Sequence, residues 1–160
     1  MLYDSINKQI ADALAQRMNK NASESDRQKA DILLSTLRLI KAKYLEHQTS
    51  DSKGDKTITE AVEVNILRKM LSERKDDLGM FLAAGRDELA EKTKYEISII
   101  EKYLPAAITE EQIIAAYDEV LRSGIEPIRK NMGMFIKTIK EKYPTADGKL
   151  ISTIVSQRLK

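Results

Sequence analysis

Apolar residues recur every three or four positions along most of the chain, which is the spacing of one face of an α-helix. The first such segment spans residues 3–19 and the second spans residues 26–46. Their apolar positions are Leu2, Ile6, Ile10, Leu14 and Met18 in the first segment, and Leu33, Leu34, Leu37, Ile40, Tyr44 and Leu45 in the second. Asp4 or Ser5 is expected to cap the first helix. Because no segment shows sustained alternation of apolar and polar residues, the sequence predicts an all-α fold.

The most informative segment reads as two long helices that form an antiparallel hairpin. The first helix starts near Thr57 or Thr59 and stops at Gly85, where glycine suits the left-handed residue that follows a last helical turn. Asp87 is expected to cap the second helix, so the connection has only about two residues and the helices must lie antiparallel. Before the hairpin, the polar residues 48–56 are expected to form a mobile loop.

Pro105 is expected to end the hairpin, because a residue that precedes proline is pushed out of helical geometry. It divides the chain into an N-terminal helical domain, residues 1–104, and a small C-terminal domain, residues 105–160. The second domain shows three short amphipathic segments, which predict three helices. Asp147 is placed to cap the last of these helices, with Gly148 in its first turn.

Composition argues against several classes of function. The 160 residues include no cysteine and one histidine, His47, so disulfides, thiolate metal sites and a catalytic triad are not expected. There is no glycine-rich nucleotide motif, and no pair of acids converges on one substrate atom. No apolar run approaches the roughly 18 residues of a membrane span, and the first residues lack the apolar core of a signal peptide. We therefore expect a cytoplasmic protein with no catalytic residues, no cofactor, no bound metal and no membrane contact.

The net charge of +2 hides a local excess of basic residues near the C-terminus. Residues 1–104 hold 18 basic and 18 acidic residues, whereas residues 121–160 hold nine basic and three acidic ones. A basic region beside a neutral body is what a phosphate-binding surface needs, and a solvated lysine-rich face is the alternative. The candidate phosphate contacts are Arg129, Lys130, Lys137, Lys140, Lys149 and Arg158.

Several segments of the chain, in matching order and spacing, resemble the bacterial YqeY-like family. The strongest stretch is the hairpin, in which ERKDDLGMF, AAGRDELAEK and YLP look like the RKDS, KAGRxDLaeKE and YLP elements of that family. LSTLRLIKAKYLEH (34–47), NMGMFIK (131–137) and ADGK (146–149) resemble its IRxLkaaIkn, DMGKVM and ADGKxV elements. Members of the family are similar to the C-terminal, tRNA-contacting region of the glutamyl-tRNA amidotransferase B subunit. The resemblance covers nearly the whole chain.

The resemblance implies an all-helical protein whose small tail-like domain contacts tRNA or another structured RNA. It does not imply transamidation, because nothing here resembles the catalytic or amidase parts of the larger enzyme. If a carbon–nitrogen ligase activity were assigned to this chain, the assignment would come from the larger enzyme and not from residues of this chain. The alternatives are an adaptor that docks on a translation-related protein, and an accessory subunit in amidotransfer with glutamine as the amido donor. The chain departs from the family at Asn131, Met134 and Pro144–Thr145, so two basic residues expected on the tail are absent.

Two positions in the basic region allow two interpretations each. The start of the last helix is either a plain cap made by Asp147 or a phosphate site made by free backbone N–H groups and Lys149. Gly133 lies inside a helical pattern, where glycine is less favourable than alanine. It permits close approach of the last helix or of an RNA backbone. We favour the last helix, because Met132 and Phe135 beside it are core-like residues.

Overall fold

The computed structural model describes residues 1–50 and 57–159, so most of the predicted loop at 48–56 lies outside the described residues. Seven α-helices, one 3₁₀ helix and no strand occur in these ranges, which confirms the all-α prediction. The elements are α1 (Leu2–Met18), α2 (Glu24–Thr49), α3 (Glu60–Ala83), α4 (Asp87–Tyr103), α5 (Glu110–Arg122), the 3₁₀ helix (Arg129–Asn131), α6 (Met132–Lys142) and α7 (Gly148–Arg158).

The chain divides into two compact units, Met1–Leu104 and Pro105–Lys160, which we call the N-unit and the C-unit. Leu104, which precedes the proline, has an extended conformation with a ψ of 136°. In the N-unit, α1 packs along α2 and α3 packs along α4, while α2 also contacts both α3 and α4. The buried core of these four helices is apolar and comprises Leu2, Ile6, Ala13, Leu34, Leu37, Ile40, Tyr44, Ile58, Leu67, Met70 and Ile100.

A buried carboxylate links three helices of the N-unit. The Glu63 side chain on α3 is 5% exposed. Its Oε1 accepts hydrogen bonds from the Tyr3 backbone N–H at 2.7 Å and from the Tyr44 hydroxyl at 2.9 Å. Burial, together with the hydrogen bond to Glu63, raises the pKa of Tyr44. Because the first N–H groups of a helix have no partner within it, Glu63 acts as a cap for α1 that is supplied by another helix.

The first two helices differ from the prediction at three places. α1 begins at Leu2, so Asp4 and Ser5 lie within its first turn and neither is its N-cap. Met18 is 72% exposed although it continues the predicted apolar stripe. A strict four-residue spacing rotates by about 40° per step around a helix of 3.6 residues per turn, so the stripe has left the core by Met18. Leu45 is 51% exposed, because it lies about 100° around α2 from its buried neighbour.

The connection between α3 and α4 is a Schellman turn. Gly85 has a φ of +67°, and its N–H donates to the Leu82 carbonyl at 3.2 Å. The Arg86 N–H donates to the Phe81 carbonyl at 2.9 Å. Both bonds satisfy carbonyl groups that a helix end leaves free. The prediction that Asp87 caps α4 is wrong: the turn ends at Arg86, which is the N-cap, and Asp87 is the first helical residue.

The C-unit has its own apolar core, formed by α5, α6 and α7. Tyr117 stacks on Phe135 with ring centres 4.7 Å apart, and its hydroxyl donates to the Arg158 carbonyl at 2.9 Å. Thr109 and Gln112 form a complete capping box at the start of α5. None of the helices described in either unit is long and apolar enough to cross a membrane.

Candidate nucleic-acid interface

Helix α6 has one buried face and one exposed basic face. Phe135 and Ile139 are 0% exposed and lie in the core of the C-unit. On the opposite side, Gly133, Lys137 and Lys140 lie within about 60° of one another around the helix axis. All three residues are exposed. We call them the α6 outer face.

Further basic residues lie directly before and after this face. Arg129 and Lys130 are on the 3₁₀ helix that leads into α6, and Lys149 is in the first turn of α7. The Lys140 side chain lies over the start of α7, because its Nζ is 3.1 Å from the point that a Cβ on Gly148 would occupy. Gly148 therefore leaves room for Lys140 and allows a basic group of α6 to lie beside the first turn of α7.

Four of the six predicted contacts have no acidic partner in residues 1–50 and 57–159. These four are Arg129, Lys130, Lys140 and Lys149. Lys137 is 3.9 Å from Glu141 on its own helix, and an exposed pair of this kind contributes little to stability.

Arg158 lies apart from the other candidates. It is at the end of α7 opposite to Lys149, where it is 3.7 Å from Asp118 on α5. Its guanidinium carbon is also 5.7 Å from the centre of the Tyr117 ring. The structure therefore groups Arg158 with α5 and not with the α6 outer face.

The acidic helix α5 neutralises a second basic residue. Lys142 donates a hydrogen bond to Glu119, which raises the pKa of Lys142 and lowers the pKa of Glu119. Together with the contact between Arg158 and Asp118, this pair reduces the basic excess of residues 121–160. Within residues 121–159, the basic residues that form no ion pair with a described residue are Arg122 on α5, Arg129 and Lys130 on the 3₁₀ helix, Lys140 on α6 and Lys149 at the start of α7.

The start of α7 is capped by its own aspartate. Asp147 Oδ1 accepts hydrogen bonds from the Lys149 N–H at 2.7 Å and from the Leu150 N–H at 3.4 Å. A phosphate at this point would compete for the same N–H groups and would be repelled by the carboxylate. The structure therefore favours the cap over the phosphate site, and an anion near this point would be contacted by the side chains of Lys149 and Lys140 instead of by the backbone N–H groups.

The favoured explanation for Gly133 is wrong. A side chain at Gly133 would meet no atom within 4 Å, so the last helix does not pack closely against it. Among the described glycines, only Gly85 and Gly124 have a positive φ. Gly133 is the second residue of α6, in the first turn after the N-cap Asn131. Because its φ is one that any residue can adopt, alanine should fit there without strain.

Two basic residues of the hairpin, Arg74 and Lys75, are held in ion pairs that involve α3 and α4. Arg74 contacts Asp77 on α3 at 3.2 Å and Glu96 on α4 at 3.4 Å. Lys75 contacts Glu101 on α4 at 3.2 Å. The contacts to Glu96 and Glu101 join the two arms of the hairpin, so both basic side chains already have acidic partners.

Sequence reasoning missed a groove of about 380 Å³ between the end of α2 and α3. Its apolar lining comes from Val62, Ile66 and Met70, and charged or polar residues surround it, namely Lys43, Glu46, His47, Ser50, Asn65, Lys69 and Glu73. No local signal could have indicated this groove, because it depends on how α2 packs against α3. Although the histidine lies here, the described residues contain no group of three or more His, Cys, Asp and Glu side chains that could hold a metal.

These features define an all-helical protein with two compact units, one of which carries an exposed basic surface on consecutive elements. The family model described as Yqey-like protein matches residues 13–159. The chain therefore belongs to the YqeY-like family, as its motifs indicated.

Two fungal proteins are similar to this chain. One is "Altered inheritance of mitochondria protein 41, mitochondrial" of Kluyveromyces lactis, 35% identical over 102 residues, which cover 62% of this chain and 52% of that protein. The protein of the same name from Candida glabrata is 27% identical over 135 residues, which cover 84% of this chain and 64% of that protein. The matched part is thus about half to two-thirds of each relative. Because both relatives are named as mitochondrial, the cytoplasmic location of this chain stays a prediction.

Proposed function

We propose that this member of the YqeY-like family is a non-catalytic protein that binds tRNA or another structured RNA through its C-unit. The observation that carries the proposal is that four exposed basic residues of the C-unit have no acidic partner among the described residues, namely Arg129, Lys130, Lys140 and Lys149. With the weakly paired Lys137, they form what we call the basic surface, which consists of Arg129, Lys130, Lys137, Lys140 and Lys149.

The chemistry of the basic surface suits phosphate groups better than exposed bases. Lysine and arginine neutralise phosphates and release counterions, so their contacts position an RNA without reading its sequence. Single-stranded bases would need aromatic side chains to stack on. In the C-unit, Tyr117 and Phe135 are buried. Tyr143 is half-buried, and the centre of its ring lies 5.6 Å from the Lys142 Nζ. The backbone of a folded RNA is therefore the better fit.

The family resemblance makes tRNA the first RNA to test. The segments NMGMFIK and ADGK resemble the tail-domain elements of the family and carry Gly133, Lys137 and Lys149. That tail is similar to the tRNA-contacting region of the amidotransferase B subunit. Two of the exposed basic residues, Lys137 and Lys149, lie in these segments, and Arg129, Lys130 and Lys140 lie within three residues of the first one.

Purified protein is expected to bind total tRNA saturably in a gel-shift or filter assay across a series of salt concentrations. With five phosphate contacts, the logarithm of the association constant should fall with the logarithm of salt with a slope of about −4. Duplex DNA of similar length should bind more weakly at physiological salt. Binding that is equal for both polymers and is lost by physiological salt would contradict the proposal.

A protein-interaction adaptor is the second candidate function. It is favoured by three exposed apolar side chains near the turn between α3 and α4, Met80, Leu82 and Leu89, which are 61%, 52% and 38% exposed. Exposed apolar residues of this kind occur at protein contacts. Pull-down from lysate before and after nuclease treatment separates the two functions. Partners that survive nuclease but are lost with Leu82→Ser would favour the adaptor.

A further inference from the structure

No contact among the described residues explains why position 133 is a glycine. Its φ is not in the left-handed region that favours glycine, and a side chain there would meet no atom within 4 Å. Neither backbone conformation nor internal packing therefore calls for glycine. Alanine fits this backbone conformation, so it should leave the chain at least as stable. The exposed Gly79 on α3 shares these properties, so what distinguishes Gly133 is the set of basic residues around it.

The surroundings of Gly133 indicate what approaches it. Lys137 and Lys140 follow it on the α6 outer face, one and two turns further along, and both are exposed. Arg129 and Lys130 precede it on the 3₁₀ helix. The only side-chain-free position on this face is thus bordered by basic residues in both directions along the chain. A partner that comes close to the helix here meets backbone at Gly133 and positive charge beside it.

We infer that the sugar–phosphate backbone of a bound RNA crosses α6 at Gly133, close enough that a side chain would hold it away from the helix. The neighbouring lysines contact phosphates on either side of the crossing. The inference rests on the proposed function and adds to it the place of closest approach. Glycine is suited to this role because it lets two backbones come nearer than any other residue does.

Substitutions at Gly133 and at the lysines should affect RNA binding differently, because the first changes how closely the RNA can approach and the second removes positive charge. A side chain at Gly133 would weaken the binding of every RNA to a similar degree, because contacts to the sugar–phosphate backbone carry no sequence information. The salt dependence should stay as it is, since no basic residue is removed. Replacing a lysine of the basic surface would instead lower both the affinity and the salt dependence.

The test compares Gly133→Ala and Gly133→Leu with the wild-type protein in the tRNA-binding assay across a salt series. We expect a loss of affinity of about threefold for alanine and more than about tenfold for leucine, with an unchanged salt slope. Thermal unfolding of the same samples should show that Gly133→Ala is at least as stable as the wild type. A gain in stability together with a loss of binding is a result that simple damage to the fold cannot produce.

Gly79 offers a matched control. It lies inside α3, is exposed, has no positive φ and has no atom within 4 Å of the place where a side chain would begin. Gly79→Ala and Gly79→Leu should leave tRNA affinity unchanged. If Gly133→Leu binds tRNA like the wild type while loss of the lysines weakens binding, the inference is overturned and the proposed function stands. If the wild-type protein does not bind tRNA, both are overturned.

Discussion

Replacing Lys137, Lys140 and Lys149 together with alanine is expected to lower the affinity for tRNA by about 100-fold, taking about 1 kcal/mol for each exposed charged contact. All three side chains are exposed on the basic surface. The slope of log affinity against log salt should become shallower by about 2 to 3, because three phosphates are no longer neutralised. The filter-binding assay with total tRNA, run at several salt concentrations, measures both quantities.

A matched control replaces Lys8, Lys20 and Lys92, which are three exposed lysines of the N-unit. It changes the net charge by the same amount, but it leaves the basic surface intact. The control protein should keep most of its affinity for tRNA. Equal losses in the two triple variants would mean that general attraction between opposite charges holds the RNA, and would contradict the assignment of the basic surface.

The departure from the family at Met134 allows the same idea to be tested in the opposite direction. Met134 is 52% exposed and lies one turn before Lys137 on α6, at the position of the lysine in the DMGKVM element that NMGMFIK resembles. The substitution Met134→Lys adds a base to the surface without removing a buried group. It should raise the affinity for tRNA. It should also steepen the slope of log affinity against log salt by the amount that corresponds to one more phosphate contact.

The Glu63→Ala variant is expected to lower the free energy of unfolding of the N-unit by about 3 kcal/mol. Glu63 is 5% exposed and accepts two hydrogen bonds. Its removal leaves the Tyr44 hydroxyl buried without that partner and frees the Tyr3 N–H at the start of α1. It also leaves a small cavity. Hydrogen exchange of the α1 and α3 amides in the whole chain measures the loss within this unit.

Two further variants make the stability test specific. Glu60→Ala removes an exposed acid from the same turn of α3 and should change stability by no more than about 0.5 kcal/mol. Glu63→Gln keeps an oxygen that can accept a hydrogen bond, so its effect should lie between those of the two alanine variants. If Glu63→Ala is no less stable than Glu60→Ala, the carboxylate does not hold the three helices together.

Helix positions could be predicted from the sequence because short-range rules determine them. The left-handed Gly85, the capping box of Thr109 and Gln112, and the extended Leu104 before its proline each depend on a few neighbouring residues. The exact residues at which helices begin could be predicted less accurately. Asp87 fits the composition of an N-cap, yet the Schellman turn extends to Arg86 and leaves the aspartate inside α4.

Contacts between distant residues could not be predicted. An acid in the sequence of α3 gives no sign that Tyr3 and Tyr44 will meet it in the core, so the role of Glu63 became visible only in three dimensions. The same limit applied to charge. Counting residues along the chain separated an acidic stretch from a basic one, but folding pairs Asp118 with Arg158 and Glu119 with Lys142.

The candidate site was predicted in part for the same reason. Lysines three positions apart on a helix must share a face, so grouping Lys137 with Lys140 needed only the helix period. The arrangement around the glycines required coordinates. Gly148 makes room for Lys140, whereas a Cβ at Gly133 would meet no described atom within 4 Å. The sequence alone could not distinguish these two cases.

The most direct test of the account is a titration of isotope-labelled protein with tRNA at physiological salt, followed through the backbone amide signals. If the basic surface binds tRNA, signal changes should be concentrated on residues 129–142 and 148–150, above the uniform broadening caused by slower tumbling. Signals of the α3–α4 hairpin should show only that uniform effect. Changes confined to the N-unit, or no changes at all, would contradict the claim that the basic surface of the C-unit binds tRNA.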